Sequence, residues 1–446
     1  KLILKSLRSF YSENSISAIL AEHIQSIEIL YNKALYMECA KLVKKGKKLA
    51  EAHERFYYLF ELIKWEKMLL EEEYQSGDFS ADLNKVIEEE QWVIRRLRNL
   101  AEYQILYSKV NYVFRQGGFI RNEGEESMIN EILSHDLIKG KNTALSKRAA
   151  ATCYHVKGLC AITTNEVEDS FNNFSKVVKI FEENPNLIQD IPKQYIKSLG
   201  NLFFYYIRTG EYVQLTELIE KMRSLKKQLG FNRIDIEIRI FITTHYFEML
   251  AYERQGNYEA ALGMIEPVKN KLKEFGDKVT KEDEVLFEFL IANVYFGAEK
   301  YRDSLRQLNN VLNDNESNLR QDIYNFAKLF NLVIHYELGN FDLLEYLVKS
   351  TERFFLKSKK STGVDHHFEL SFIRSFKKVI KSARNAGRTN EFFNEMKSDL
   401  SELLQDQKEG VALEYFDYVA WVDSKLKSRS YSSLRTSSDF GISASN

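Results

Sequence analysis

Thiols, imidazoles and paired carboxylates are the groups from which metal sites and acid–base pairs are assembled, so their spacing decides what chemistry is open to this chain. Cys153 and Cys160 stand seven residues apart with His155 between them. On a helix both thiols share a face but lie about 10 Å apart along the axis, too far to share a zinc ion that each sulfur holds at about 2.3 Å. They are expected to be small core residues, as free thiols usually are. His366 and His367 are neighbours whose rings diverge on a helix, with no further ligand four residues away on either side. Asp365 before them suits a helix N-cap. The runs Glu71-Glu72-Glu73 and Glu88-Glu89-Glu90 point in different directions around a helix, so neither converges on one atom. The sequence contains no GxGxxG, GxxxxGK[ST], HExxH or GxSxG. No enzyme activity, metal or cofactor is expected.

One cluster does have a spacing that could bind something. Arg374, Lys377, Lys381 and Arg384, with Arg388 beyond, recur every three or four residues, while Phe372, Ile373, Phe376, Val379 and Ile380 take the other side. One helical face would then carry the cations, which suits a phosphate or an acidic segment; the alternative is a solvated face that happens to be basic. The whole chain is nearly neutral, with 63 Lys and Arg against 64 Asp and Glu. No nucleic acid partner is expected, because such binding needs a strong basic excess.

The elements that position these residues are expected to be helices nearly throughout. Only 3 of 446 residues are Pro, and Pro is the residue helix interiors exclude most strongly. With 44% apolar and 13% aromatic residues the chain carries enough to fold, and three Cys cannot staple a scaffold of this length. A reducing compartment, the cytoplasm, is expected. No run approaches the roughly 18 apolar residues of a membrane span. The chain opens on Lys1 rather than Met, so a region before it is expected to be missing.

Ile16, Ile19, Leu20, Ile24, Ile27 and Leu30 form the stripe of an amphipathic helix, with Ser12 and Asn14 as candidate caps. Further helices are expected over about 35–50 and 53–74. After a turn at Ser76-Gly77-Asp78, a long one follows to about Gln116. From about Asn142 a short phrase returns: Asn165-Glu166-Val167, Gly210-Glu211-Tyr212, Gly256-Asn257-Tyr258, Glu299-Lys300-Tyr301, Gly339-Asn340-Phe341 and Gly387-Arg388-Thr389. Its third residues are spaced by 45, 46, 43, 40 and 48. Such even spacing marks a repeat architecture, each phrase being the turn between two helices.

These phrases resemble the inter-helix turn of tetratricopeptide repeats, most closely from Ala251 to Leu262, where Tyr252 precedes Gly256, Tyr258 follows it and the small Ala261 comes three residues on. Gly158 and Ala292 match the family's small residue of the first helix, and Ser170 and Ser304 that of the second. The units exceed the family's 34 residues, and Leu215, Leu344 and Phe392 replace the small residue. The resemblance covers about 142–405. It implies an all-α fold, a right-handed α-solenoid of antiparallel helix pairs forming a TPR-like superhelix. Residues 1–141 would be N-terminal helical hairpins continuous with the solenoid, 142–427 the repeats and a capping helix over about 411–427, and 428–446 a Ser-rich flexible tail.

In the family that this chain resembles the first helix of each pair lines the concave face. Carried over by position, that face comprises Phe204, Ile207, Tyr246, Leu250, Phe289, Asn293, Phe296, Leu329, Val333 and Tyr336. Aromatics with an amide such as Asn293 would suit a peptide, the amide bonding its backbone; the alternative is that they pack as core. The leading expectation is a non-catalytic protein–protein interaction scaffold binding a partner segment there. The second is a regulatory module resembling the repeat-containing receptors of bacterial signalling peptides, with an output domain upstream of residue 1. A protein or peptide is the expected partner, and the oligomeric state is left open.

Overall fold

A computed structural model describes residues 15–73, 79–120, 122–228, 230–314, 320–382, 386–406 and 408–435. Among the described residues there are helices and turns but no strand, and each helix packs on its neighbours in the sequence. The first three are α1 (Ile16–Asn32), α2 (Tyr36–Ala52) and α3 (Phe56–Glu73), which share a core of Leu20, Ile27, Val43, Leu59 and Leu62. Ser15 caps α1 by accepting the Ala18 N–H. Ser12, Asn14 and the turn Ser76-Gly77-Asp78 lie outside the described residues.

Helix α4 (Phe79–Gly117) has 39 residues and is therefore about 58 Å long. Its first half closes the N-terminal core through Val86 and Val93. Its second half sends Tyr103, Leu106, Val110 and Val113 into a different core, formed with the helices that follow. Next come α5 (Glu123–Ser134) and α6 (Asp136–Lys139), held to α4 by the Tyr103 hydroxyl, which donates to the Leu137 carbonyl at 2.9 Å.

From residue 147 the helices come in pairs. They are α7 (Lys147–Thr163) with α8 (Val167–Glu182), then a short α9 (Pro185–Asp190), then α10 (Pro192–Thr209) with α11 (Tyr212–Ser224) and α12 (Ile234–Arg254) with α13 (Tyr258–Phe275). These are followed by α14 (Lys281–Gly297) with α15 (Tyr301–Leu312), α16 (Gln321–Glu337) with α17 (Phe341–Thr362), and α18 (His367–Ser382) with α19 (Ala386–Leu403). From α10 on, first helices of successive pairs also touch one another. Two carboxylates join the N-terminal helices to this series. Glu54 accepts the Lys147 and Arg148 N–H groups, each at 2.8 Å, at the start of α7. Asp190 on α9 meets Arg148 at 2.6 Å and His53 at 3.2 Å.

Five of the six repeated phrases are turns of one kind. Their first residues are left-handed: Asn165 at φ 64°, Gly210 at 73°, Gly256 at 68°, Glu299 at 60° and Gly339 at 70°. In each the next N–H returns five residues, as from Glu211 to the Tyr206 carbonyl at 2.9 Å and from Lys300 to Tyr295 at 2.9 Å, the Schellman closure of a helix. The sixth differs: Gly387, Arg388 and Thr389 fall inside α19, and the connection at 383–385 lies outside the described residues. Two of the small residues sit where neighbouring helices approach closely. A Cβ on Gly158 would stand 2.7 Å from the Phe174 ring of α8, and Ser304 donates to the Ala292 carbonyl at 2.7 Å.

The end of the chain departs from expectation. Instead of one helix over about 411–427 there is a 3₁₀ stretch, Glu409–Glu414, and then α20 (Tyr418–Leu426), which begins late because Asp417 Oδ1 accepts the Ala420 N–H at 2.8 Å and caps it there. Of residues 428–446, expected as a flexible tail, 436–446 lie outside the described residues, and Tyr431–Arg435 form a last helix, α21, with Tyr431, Leu434 and Arg435 buried. No described helix is long and apolar enough to cross a membrane.

Candidate functional site

The residues expected on the inner face lie on four successive first helices: Phe204 on α10, Tyr246 and Leu250 on α12, Phe289, Asn293 and Phe296 on α14, and Val333 and Tyr336 on α16. Spacings of three, four and seven place each group on one side of its helix, and contacts between successive first helices bring those sides together. Their exposure is uneven. Phe204, Tyr246, Leu250 and Tyr336 are half-buried, whereas Phe289, Asn293, Phe296 and Val333 are buried.

Part of what covers them is the chain's own end. Tyr415 stacks on Phe326 of α16 with ring centres 4.2 Å apart and reaches Phe289 at 6.3 Å. Phe416 stands edge-on to Phe296 at 5.2 Å and lies 4.8 Å from Phe330. Tyr431 of α21 closes over Phe296 at 5.4 Å and stacks on Phe416 at 5.3 Å. Trp421 of α20 sits edge-on to Tyr336 at 5.7 Å and beside Phe393 of α19 at 5.8 Å. Burial, and then Glu337, push the Tyr336 hydroxyl up to about 12. Asn293, expected to bond the backbone of a ligand, donates instead to the Phe289 carbonyl of its own helix at 2.9 Å.

The polar contacts to this segment come from residues the sequence reading passed over. Arg254 Nη1 donates to the Leu413 carbonyl at 2.8 Å and Nη2 to the Glu414 carbonyl at 2.7 Å. Arg208 Nε pairs with the Glu414 carboxylate at 3.0 Å. Glu337 accepts from Trp421 Nε1 at 2.6 Å and from Lys425 Nζ at 2.6 Å. A signal was present: Arg208, Arg254 and Glu337 each stand four residues beyond a residue expected on the inner face, Phe204, Leu250 and Val333, hence one turn further along the same side. Asp322, the acceptor of the Tyr415 hydroxyl at 2.6 Å, also holds Arg320 at 2.6 Å.

The basic residues of α18 do not act as one group. Lys377 pairs with Glu352 of α17 at 2.5 Å, and Lys378 with Glu395 of α19 at 2.8 Å. Arg374 and Lys381 are exposed, and Arg384 lies outside the described residues. Arg374 looks into a cavity of about 1060 Å³ that is bounded by the start of α5, the α17–α18 connection, the end of α19 and the first residues of the 3₁₀ stretch. Glu409 borders it, accepting the Phe368 N–H at 2.9 Å and so supplying to α18 the cap expected of Asp365, which pairs with Lys359 at 2.8 Å. Burial and the nearby Glu369 raise the Glu409 carboxyl.

His366 is buried between Glu369, at 3.2 Å, and the Ser358 hydroxyl, at 2.9 Å, while His367 is exposed. Cys153 and Cys160 are buried, and burial pushes the Cys160 thiol up to about 12. No group of three or more metal-ligating side chains converges among the described residues. No family model and no curated protein matches this chain.

Proposed function

We propose that the chain is a non-catalytic protein–protein interaction scaffold, a right-handed α-solenoid of antiparallel, TPR-like helix pairs whose concave face binds a partner segment. The observation that carries this reading is the way the inner side of α10, α12, α14 and α16 holds a stretch of polypeptide. Two arginines grip backbone carbonyls and a carboxylate, and rings at Tyr415, Phe416, Trp421 and Tyr431 fill aromatic pockets. Backbone grip combined with ring pockets is how grooves recognise peptides. The three buried thiols are in keeping with a cytoplasmic protein.

A photo-reactive residue placed at Tyr246, half-buried on this side, should capture a partner from native lysate, while one at the exposed Tyr346 of α17 should not. No capture, or equal capture at both positions, overturns the reading. The second reading, a ligand-sensing module, draws on the cavity of about 1060 Å³ between early helix α5 and late helices α17 to α19. A small molecule filling it would tie distant parts of the chain together.

A further inference from the structure

We propose that residues 410–435 are a displaceable ligand carried in cis, and that an acidic, aromatic segment of a partner protein, with Phe where this chain has Tyr418 and Tyr431, takes their place. The inference rests on the scaffold reading and names the partner's chemistry.

The hold on the segment has a general part and a specific part. Arg254 takes two consecutive carbonyls, a contact that any backbone can offer. Arg208 asks for an acid at the position of Glu414. The pockets at Phe326, at Phe296 with Phe330, and at Tyr336 with Phe393 ask for rings at the positions of Tyr415, Phe416 and Trp421. An acid followed by two rings, with a third ring five residues after the second, satisfies all of them.

This chain's own segment fits that site imperfectly. The hydroxyls of Tyr418 and Tyr431 are buried and find no hydrogen-bond partner among the described residues, whereas Tyr415 and Trp421 have Asp322 and Glu337. A buried hydroxyl without a partner forfeits its hydration and regains nothing, so Phe at either position holds better than Tyr. A better occupant than the resident one therefore exists.

The segment can also leave in stages. At its start Glu409, which borders the cavity of about 1060 Å³, and Gly410 are half-buried, whereas Val411 and Ala412, also beside the cavity, are buried. Residues 427–430, between α20 and α21, are exposed. The resident segment has the advantage of being tethered, which acts as a high local concentration, and a competitor must overcome the fraction of time the site is closed.

The test uses the full chain and fluorescein-labelled peptides of residues 409–435, one with the natural sequence and one carrying Tyr418→Phe and Tyr431→Phe. Anisotropy should show saturable binding of both, the Phe peptide about tenfold tighter or more, equivalent to about 1.4 kcal/mol. A full chain with Phe416→Ala, its resident segment weakened, should bind either peptide at least about tenfold tighter than the unaltered chain does, and Arg254→Ala added to it should reverse most of that gain. Absence of binding to a Phe416→Ala chain that retains its helical circular dichroism, or equal affinity for the two peptides, overturns the proposal. Should Phe416→Ala fail to fold, hydrogen exchange on the unaltered chain decides: amides of α20 exchanging before those of α14 and α16 support displacement, and exchange of all three together overturns it. A partner captured at Tyr246 while α20 stays protected leaves the scaffold reading standing and removes displacement.

Discussion

His155 shows how a polar residue can be made part of a core. It is fully buried on α7, edge-on to Tyr107 of α4 at 5.3 Å and to Phe174 of α8 at 5.4 Å, with Nε2 3.4 Å from Asn201. Burial, helped by nearby Lys197, lowers its pKa from 6.5 to about 3. Above pH 6.5 the ring is neutral in both folded and unfolded chains and this contribution to stability is whole. As the pH falls from 6.5 toward about 3 the unfolded chain takes up a proton that the native ring refuses, and stability is lost. Urea unfolding at pH 7 and pH 5 should show a loss about 2 kcal/mol smaller in His155→Gln than in the unaltered chain. His245 and His335 shift the same way through burial but are present in both proteins, so the difference isolates His155. An equal loss in both would mean that the ring is protonated in the native state. In the sequence His155 was only a neighbour of two thiols, because nothing local says that rings from α4 and α8 will enclose it.

At the scale of the helix pair, the recurring unit is a left-handed residue closing one helix before an apolar residue opens the next. Gly meets that backbone requirement without strain at Gly210, Gly256 and Gly339, whereas Asn165 and Glu299 adopt it against the crowding of their own Cβ. Asn tolerates the left-handed region better than Glu does. Replacing Glu299 by Gly removes that crowding at some cost in unfolded-chain entropy, and thermal or chemical unfolding should show a net gain of about 0.5–1 kcal/mol. Gly256→Ala should move stability the opposite way by a comparable amount, since φ 68° is unfavourable for any Cβ. A neutral or negative result for Glu299→Gly would mean that the Glu299 side chain supports the turn in some other way. The phrase was legible in sequence because its requirement is local. Gly387-Arg388-Thr389 matched by composition alone, and its place inside α19 shows that a Gly by itself does not make a turn.

Across the whole molecule, α4 is the member that two cores share. Val86 and Val93 belong to the core of α1 to α3, which also holds Trp65 and Trp92, while Tyr103 to Val113 belong to the next. Trp421 lies far along the chain in a third core with Phe376, Phe393 and Tyr418. Arrays whose elements touch mainly their neighbours unfold in parts when one part is weakened. Val93→Asp places a charge in the first core and should lower the stability reported by Trp65 and Trp92 by at least about 3 kcal/mol. With those two tryptophans replaced by Phe, the transition reported by Trp421 should stay where it was. A joint fall would show that α4, Glu54 and Asp190 couple the N-terminal helices to the rest more tightly than separate cores imply.

Helical character, the boundaries of α1 to α4 and the turns of the first five pairs were written into the sequence itself. Each depends on features within a few residues: apolar spacing of three and four, the near absence of Pro, and a Gly or Asn where the backbone must turn left-handed. The side of each first helix expected to face inward came from the family resemblance and not from local spacing; its residues Phe204, Tyr246, Phe289 and Tyr336 lie on successive first helices that touch one another. What lies against that side was not legible. Tyr415 meets Phe326 across 89 residues and Arg254 meets Glu414 across 160, and no periodicity within one helix encodes a partner at that distance. The tail from Ser428 to Asn446 has too little apolar content to be expected to fold alone. Tyr431, Leu434 and Arg435 are nonetheless buried, because the pocket that receives them is built by α12, α13 and α14 through Glu253, Tyr258 and Phe296. Local physics set the helices, and only the tertiary structure, which brings residues 89 and 160 positions apart into contact, decided that these sides of α10, α12, α14 and α16 hold a segment of their own chain.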